Sequence, residues 1–168
     1  PYTDEILAEV SSVNADECLE AIASADEALK EMRKLPRFRI AKGLRKIAEG
    51  IESRKKEFAE TIAKEAAKPI NIARGEVERG IATFAWAASE TERFVGEVVP
   101  MDTQANGKGK TGWTMRIPVG VIYGITPFNF PLNLVGHKVA PALASGNSII
   151  IKPSQKTPLT ALLLGEVF

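Results

Sequence analysis

The sequence predicts an α/β fold: an N-terminal helical layer packed on a parallel βαβ unit, with a β-hairpin inserted between them. Three observations predict it. Apolar residues recur at helical spacing in four segments between Ala15 and Phe94. A polar stretch holding Asn106-Gly107 and Gly109 then separates two short strand-like runs. From Val119 onward the order is β-branched run, proline-rich turn, apolar helix, second β-branched run, turn and helix. Strand–helix–strand order implies parallel strands, with a ligand at their carboxyl ends.

In chain order, Ile6 to Val10 carries a weak strand signal. Asn14 reads as an N-cap, with Glu17 three residues on, as in a capping box. Leu19, Ile22, Ala25, Leu29 and Met32 continue as the stripe of a first helix, in which Cys18 is expected to be buried. A second helix begins near Arg37, with Ile40, Leu44, Ile47 and Ile51 on one face. A third follows Ser53 with Phe58, Ile62 and Ala66, and Lys68-Pro69 stops it. The fourth runs from about Asn71 to Phe94 on Ala73, Val77, Ile81, Phe84 and Ala88. The hairpin is expected from Glu97 to Ile117, its second strand being Trp113–Ile117. These boundaries give a helical part, 1–96, a hairpin, 97–117, and an incomplete βαβα part, 118–168.

The βαβα part holds the chemistry. Val119 to Ile125 is expected to be a buried strand, followed by Thr126-Pro127-Phe128-Asn129-Phe130-Pro131. Two prolines fix their own φ and push their predecessors toward extended geometry, so this turn is rigid. Pro131 suits the first turn of the next helix, which Gly146-Asn147 ends. Ser148 to Ile151 is the second buried strand, and Lys152-Pro153 stops it. Asn129 and Lys152 thus stand at the carboxyl ends of the two strands. An amide held in a stiff turn can donate to a developing oxyanion, although turn asparagines often bond their own backbone. The Lys152 ammonium can reach a ribose or phosphate, although a lysine at a strand end is ordinarily a solvated one.

Composition bounds the rest. The chain has 168 residues, 45% of them hydrophobic, and a net charge of +1. That is enough apolar material for a core, and the charge balance points to no nucleic-acid partner. One cysteine rules out an internal disulfide framework and fits a reducing, cytoplasmic compartment. No apolar run is long enough to span a membrane. The chain begins at Pro1 and stops at Phe168 inside an amphipathic pattern, so it is expected to be the N-terminal portion of a longer enzyme.

At T-P-F-N-F-P-L-N-L (126–134) and A-P-A-L-A-S-G-N-S-I-I-I-K-P-S-Q-K-T-P-L-T-A (140–161) the chain resembles the aldehyde dehydrogenase superfamily. Glu65-Ala-Ala-Lys68-Pro69 resembles its E-x-G-K-P segment, with Ala67 in place of glycine, and Ala73-Arg-Gly-Glu76-Val77 resembles its A-x-x-E-V. The resemblance covers nearly the whole chain. It implies a Rossmann-like fragment of the aldehyde dehydrogenase fold whose hairpin serves oligomerisation, in a homo-oligomeric parent protein. It implies NADP- or NAD-dependent oxidation of an aldehyde to a carboxylic acid through a cysteine thioester, with Asn129 as catalytic oxyanion donor. It further implies cofactor binding by Thr126, Pro127, Phe128, Lys152, Ser154 and Gln155. Phe128 stands where tryptophan is commoner, and Gln155 where many NAD-using members carry a glutamate that would repel a 2′-phosphate. There is no G-x-G-x-x-G, and the family lacks it as well.

The family's nucleophile and general-base glutamate lie beyond Phe168, so the 168 residues alone are expected to be inactive. Cys18 is not a candidate nucleophile: it sits beside Leu19 on the first helix, where it is expected to be buried, and a buried thiol is usually inert. His137, the single histidine, reads as a helix-surface or packing residue. Two other classes fit the same residues: a nucleotide-binding but inactive truncated paralogue, and a helical interaction or assembly module. No metal site is expected.

Overall fold

The structure is a computed structural model that describes residues 1–168. Four helices come first: α1 (Ala15–Met32), α2 (Arg37–Ser53), α3 (Lys55–Ala66) and α4 (Ile70–Arg93). A two-residue antiparallel pair follows, β1 (Val98–Val99) with β2 (Gly112–Trp113). Then come β3 (Val121–Ile125), α5 (Asn133–Ala144), β4 (Ser148–Lys152) and α6 (Leu159–Gly165). β3 and β4 pair in parallel, Val121 opposite Ser148 and Ile125 opposite Lys152. The α/β class and the βαβα order are those the sequence predicts.

α1 starts with the predicted capping box: Asn14 Oδ1 accepts from Glu17 N at 3.0 Å, and Glu17 Oε2 accepts from Asn14 N at 2.7 Å. Two donors at the helix end are thereby satisfied. α2, α3, α4 and α5 share one core, in which Leu44, Ile51, Phe58, Ile62, Phe84 and Leu132 are essentially inaccessible. Burying each such side chain contributes about 1.5–3 kcal/mol. α4 and α5 pack closely: a Cβ on Gly80 of α4 would lie 2.8 Å from Leu132 Cδ2. The order β3–α5–β4 is fastened at its base by Asn147. Its Oδ1 accepts from Gly120 N at 2.9 Å, while its Nδ2 donates to Ser145 Oγ at 2.7 Å and Ala142 O at 3.3 Å. Gly146 takes φ +80° just before it, which lets the chain leave α5 and turn into β4.

Several expectations are corrected. Ile6–Val10 forms no strand; it is exposed and has no partner ladder. The stripe of α1 is only half engaged: Ala25 and Leu29 are buried, while Leu19 and Ile22 are exposed, and so is Cys18. Helical spacing located the face but not the width of the surface available to cover it. The hairpin keeps only two residues per strand, because a long loop with a 3₁₀ turn at Ala105–Gly107 replaces a tight Asn-Gly turn. Residues 114–117 do not pair as strand. β3 is not buried on both faces: Val121, Tyr123 and Ile125 are exposed, and Gly124 is the one buried residue. Nor is β4 sealed, since only Ser148 is buried. α5 begins at Asn133, so Pro131 precedes the helix rather than occupying its first turn.

Candidate functional site

The parallel register sets Ile125 opposite Lys152, so both turns leave the sheet at one level. Thr126 N donates to Lys152 O at 3.2 Å and joins their bases. Thr126 is buried; Pro127, Phe128 and Asn129 are exposed. The Asn129 side chain makes no hydrogen bond within the chain, so the self-bonded turn asparagine is not what the structure contains. Its neighbours are held. Phe128 O accepts from Thr157 Oγ1 at 3.4 Å, and Lys156 Nζ lies 4.8 Å from the Phe128 ring centroid. Lys68 Nζ lies 4.0 Å and Arg79 Cζ 5.1 Å from the Phe130 centroid. Such cation–ring contacts are worth about 0.5–2 kcal/mol each.

In the second turn Lys152 is exposed, and its Nζ donates only to Pro153 O at 3.3 Å. Ser154 Oγ accepts from Lys156 N at 3.2 Å, which shapes the loop. Gln155 is exposed and lines a cavity of about 320 Å³ together with Glu65, Lys156 and Leu159. The structure therefore brings Thr126, Phe128, Asn129, Lys152, Ser154 and Gln155 to one end of the sheet. His137 does not join them. It is exposed on α5, in a groove of about 600 Å³ between α4 and α5 whose lining also includes Arg79, Trp86 and Glu90. Cys18 lies on α1, which packs against β3 and β4, and it is exposed.

Two buried glutamates were not expected in this role. Glu76 on α4 is wholly buried; its Oε1 accepts from Leu132 N at 3.0 Å and Asn133 N at 3.3 Å, and its Oε2 from Lys68 Nζ at 2.5 Å. Glu65 on α3 does the same for α6: it accepts from Leu159 N at 2.8 Å, Thr160 N at 3.0 Å and Thr160 Oγ1. Each carboxylate sits at the N-terminus of the helix that follows one strand, where free N–H groups and the helix dipole favour negative charge. Burial pushes the Glu65 carboxyl above the usual carboxylate range; the bonds from Thr160 and Leu159 oppose that, and nearby Glu76 adds to it. The sequence held a signal for both. Glu65 follows Ile62 by three residues and Glu76 follows Ala73 by three, so each carboxylate occupies a position on an apolar stripe. Between Glu65 and Lys68, Ala67 takes a left-handed conformation (φ 50°, ψ 39°) as the C-cap of α3. Glycine adopts that conformation without the steric cost that alanine carries.

A parallel strand–helix unit with two fastened turns at its carboxyl edge defines an α/β domain of the kind that places ligands at the strands' carboxyl ends. The chain belongs to the aldehyde dehydrogenase family, whose model matches residues 1–168. It is 43% identical to the 3-sulfolactaldehyde dehydrogenase of Priestia aryabhattai over 99% of this chain and 34% of that protein. Among solved structures it is similar to aldehyde dehydrogenase 21 from Physcomitrella patens in complex with the product succinate. That match has a TM-score of 0.95 and 41% identity, over 98% of this chain and 34% of the other. The NADP complex of glyceraldehyde-3-phosphate dehydrogenase from Methanocaldococcus jannaschii gives a TM-score of 0.92 and 41% identity, over 99% and 35%. The chain thus spans about a third of the length of these relatives.

Proposed function

We propose that the protein carrying this chain oxidises an aldehyde to a carboxylic acid with NADP or NAD, and that Asn129 donates to the oxyanion formed at the aldehyde carbon. The observation that carries this reading is the free Asn129 amide, exposed and unbonded in a turn held on both sides. A donor placed beforehand costs no reorganisation when charge develops. The attacking thiolate and the general base belong to residues outside these 168, so the chain alone is expected to show no turnover. The cofactor supplies the hydride acceptor. Lys152, Ser154 and Gln155 would hold its adenosine ribose or 2′-phosphate, and Thr126, Pro127 and Phe128 its nicotinamide side. The donor set fits: an ammonium with no carboxylate partner, a hydroxyl and an amide at a strand's carboxyl end, with no carboxylate among residues 152–155.

The aldehyde's substituent would lie toward the α4–α5 groove. Arg79 links that groove to Phe130, next to Asn129, and forms no ion pair. An unpaired guanidinium there favours an anionic substituent. The relatives' names include anionic aldehydes, 3-sulfolactaldehyde and glyceraldehyde 3-phosphate, beside the neutral lactaldehyde, so the anionic preference rests on Arg79. We further place residues 97–117 in an oligomer interface and the parent protein in the cytoplasm, in line with the single cysteine among these 168 residues. The helical part, 1–96, and the βαβα part, 118–168, would together form the cofactor-binding domain.

The test is reduced-nicotinamide absorbance with the full-length protein. Asn129→Ala is expected to lower kcat roughly 10²–10³-fold, with cofactor affinity little changed. Near-normal kcat with chemistry rate-limiting would reduce Asn129 to a turn residue. Equal kcat/KM for paired aldehydes with and without an anionic group would remove Arg79 from the reading, and a monomer by light scattering would remove the oligomer.

A further inference from the structure

We propose that Lys68 and Glu76 are positioning residues that set the Asn129 amide through Phe130 and the start of α5; the proposal rests on Asn129 being the oxyanion donor. The Asn129 side chain has no hydrogen bond of its own, so its direction is inherited from the backbone around it. On the N-terminal side the holds are longer: Thr126 N donates to Lys152 O at 3.2 Å, Thr157 Oγ1 donates to Phe128 O at 3.4 Å, and Lys156 Nζ lies 4.8 Å from the Phe128 ring centroid. On the C-terminal side they are dense. Pro131 and Leu132 are fully buried, and the first two N–H groups after Asn129 and Phe130 that proline does not remove, those of Leu132 and Asn133, both donate to Glu76 Oε1.

The other oxygen of Glu76 binds Lys68 Nζ at 2.5 Å, and that same ammonium lies 4.0 Å from the centroid of the Phe130 ring. One cation therefore locks both the carboxylate that fixes the helix start and the aromatic ring adjoining Asn129. Lys68 is 15% exposed and Glu76 is fully enclosed, so this pair is little screened. Losing it leaves the Phe130 ring with Arg79 alone and one Glu76 oxygen without a partner, which loosens both anchors of the Asn129 backbone. A displacement of about 1 Å at a reacting centre can cost about 10²-fold in rate. A carboxylate and a lysine that served only the fold would affect folding without acting through Asn129.

The experiment is a mutant cycle in the full-length protein. Lys68→Met keeps the aliphatic stem and removes the ammonium; it is expected to lower kcat about 10–100-fold while cofactor KM stays within about twofold. Lys68→Arg restores most of the rate. In an Asn129→Ala background, Lys68→Met changes kcat less than about twofold, because the group it positions is gone. If Lys68→Met does not fold, Glu76→Gln, which preserves shape and one acceptor, carries the same cycle. Multiplicative losses in the double variant would overturn the proposal, as would normal kcat in Lys68→Met or Glu76→Gln beside a slow Asn129→Ala. A normal rate in Asn129→Ala itself would overturn the oxyanion reading and the proposal with it.

Discussion

The Asn129 turn and the Lys152 turn rise side by side from one two-stranded sheet, and each is followed by a helix whose first N–H groups end on a buried glutamate. The carboxylates come from consecutive helices of the N-terminal layer, Glu76 from α4 and Glu65 from α3. They differ in charge balance. Glu76 has a counter-ion in Lys68, whereas Glu65 is met only by neutral donors: two backbone N–H groups and the Thr160 hydroxyl. The turn assigned to bond-making chemistry is thus held by an ion pair, and the turn assigned to the cofactor's far end by dipoles. An ion pair fixes position firmly and is sensitive to the loss of either member; a dipole-held carboxylate leaves a buried charge uncompensated and therefore responds to pH.

The largest expected effect separates the two fastenings by stability. Glu76→Ala leaves Lys68 without its partner and two N–H groups without an acceptor, and should cost about 3–5 kcal/mol. Glu65→Ala leaves only neutral donors and should cost about 1–3 kcal/mol. Denaturant midpoints of the full-length variants check this. Equal costs would mean that Lys68 adds nothing to the hold on the Asn129 turn.

How far the sequence revealed this arrangement depends on which interactions were local. The capping box at Asn14, the four helices and the strand–turn–helix order are written in short-range spacing, and the structure has them. The places of Asn129, four residues past Ile125, and Lys152, the last residue of β4, were legible because a parallel unit exposes the turns at its strands' carboxyl ends; their chemical roles belong to the proposal. What spacing could not show was long-range. Glu76 bonds Leu132 across 56 residues and Glu65 bonds Thr160 across 95, so each looked like one more charge on a helix. Likewise Leu19, Ile22 and β3 have the apolar pattern of buried elements, but burial depends on what else is folded over them. Cys18 was misplaced for the same reason.

A smaller effect sharpens the comparison through pH. Burial raises the folded-state pKa of Glu65 above its ordinary value of 4.5. The native protein therefore holds this proton at a pH where the unfolded chain has released it. Glu65 favours the native state fully below about pH 4.5, and that contribution is lost as pH rises through the raised native pKa. Glu65→Gln cannot titrate, so stability of wild type minus variant should fall between pH 4 and neutrality. Parallel stability–pH curves would show that the neutral donors compensate the carboxylate in full.

The smallest effect concerns the exposed end of the second turn. Lys152 and Gln155 face solvent, so charge interactions there are screened and worth at most about 1 kcal/mol each, or about fivefold. Within residues 152–155 one positive charge and no carboxylate await a 2′-phosphate, so NADP should be accepted, alongside NAD bound through its ribose hydroxyls. Glu65 and Glu5 line the cavity beside Gln155, but the Glu65 oxygens are committed to the N-terminus of α6 and do not replace a ribose-binding carboxylate. Gln155→Glu should move the NADP/NAD ratio of kcat/KM toward NAD by about fivefold. Lys152→Ala should move it the same way, because only NADP carries the extra charge, and both shifts should shrink as salt is raised. The contrast with the first turn is in the parameter that moves: these variants change cofactor KM, whereas Lys68 and Glu76 variants change kcat. A wild type that rejects NADP, or a Gln155→Glu ratio that does not move, would detach residues 152–155 from the 2′ position and leave Asn129 untouched.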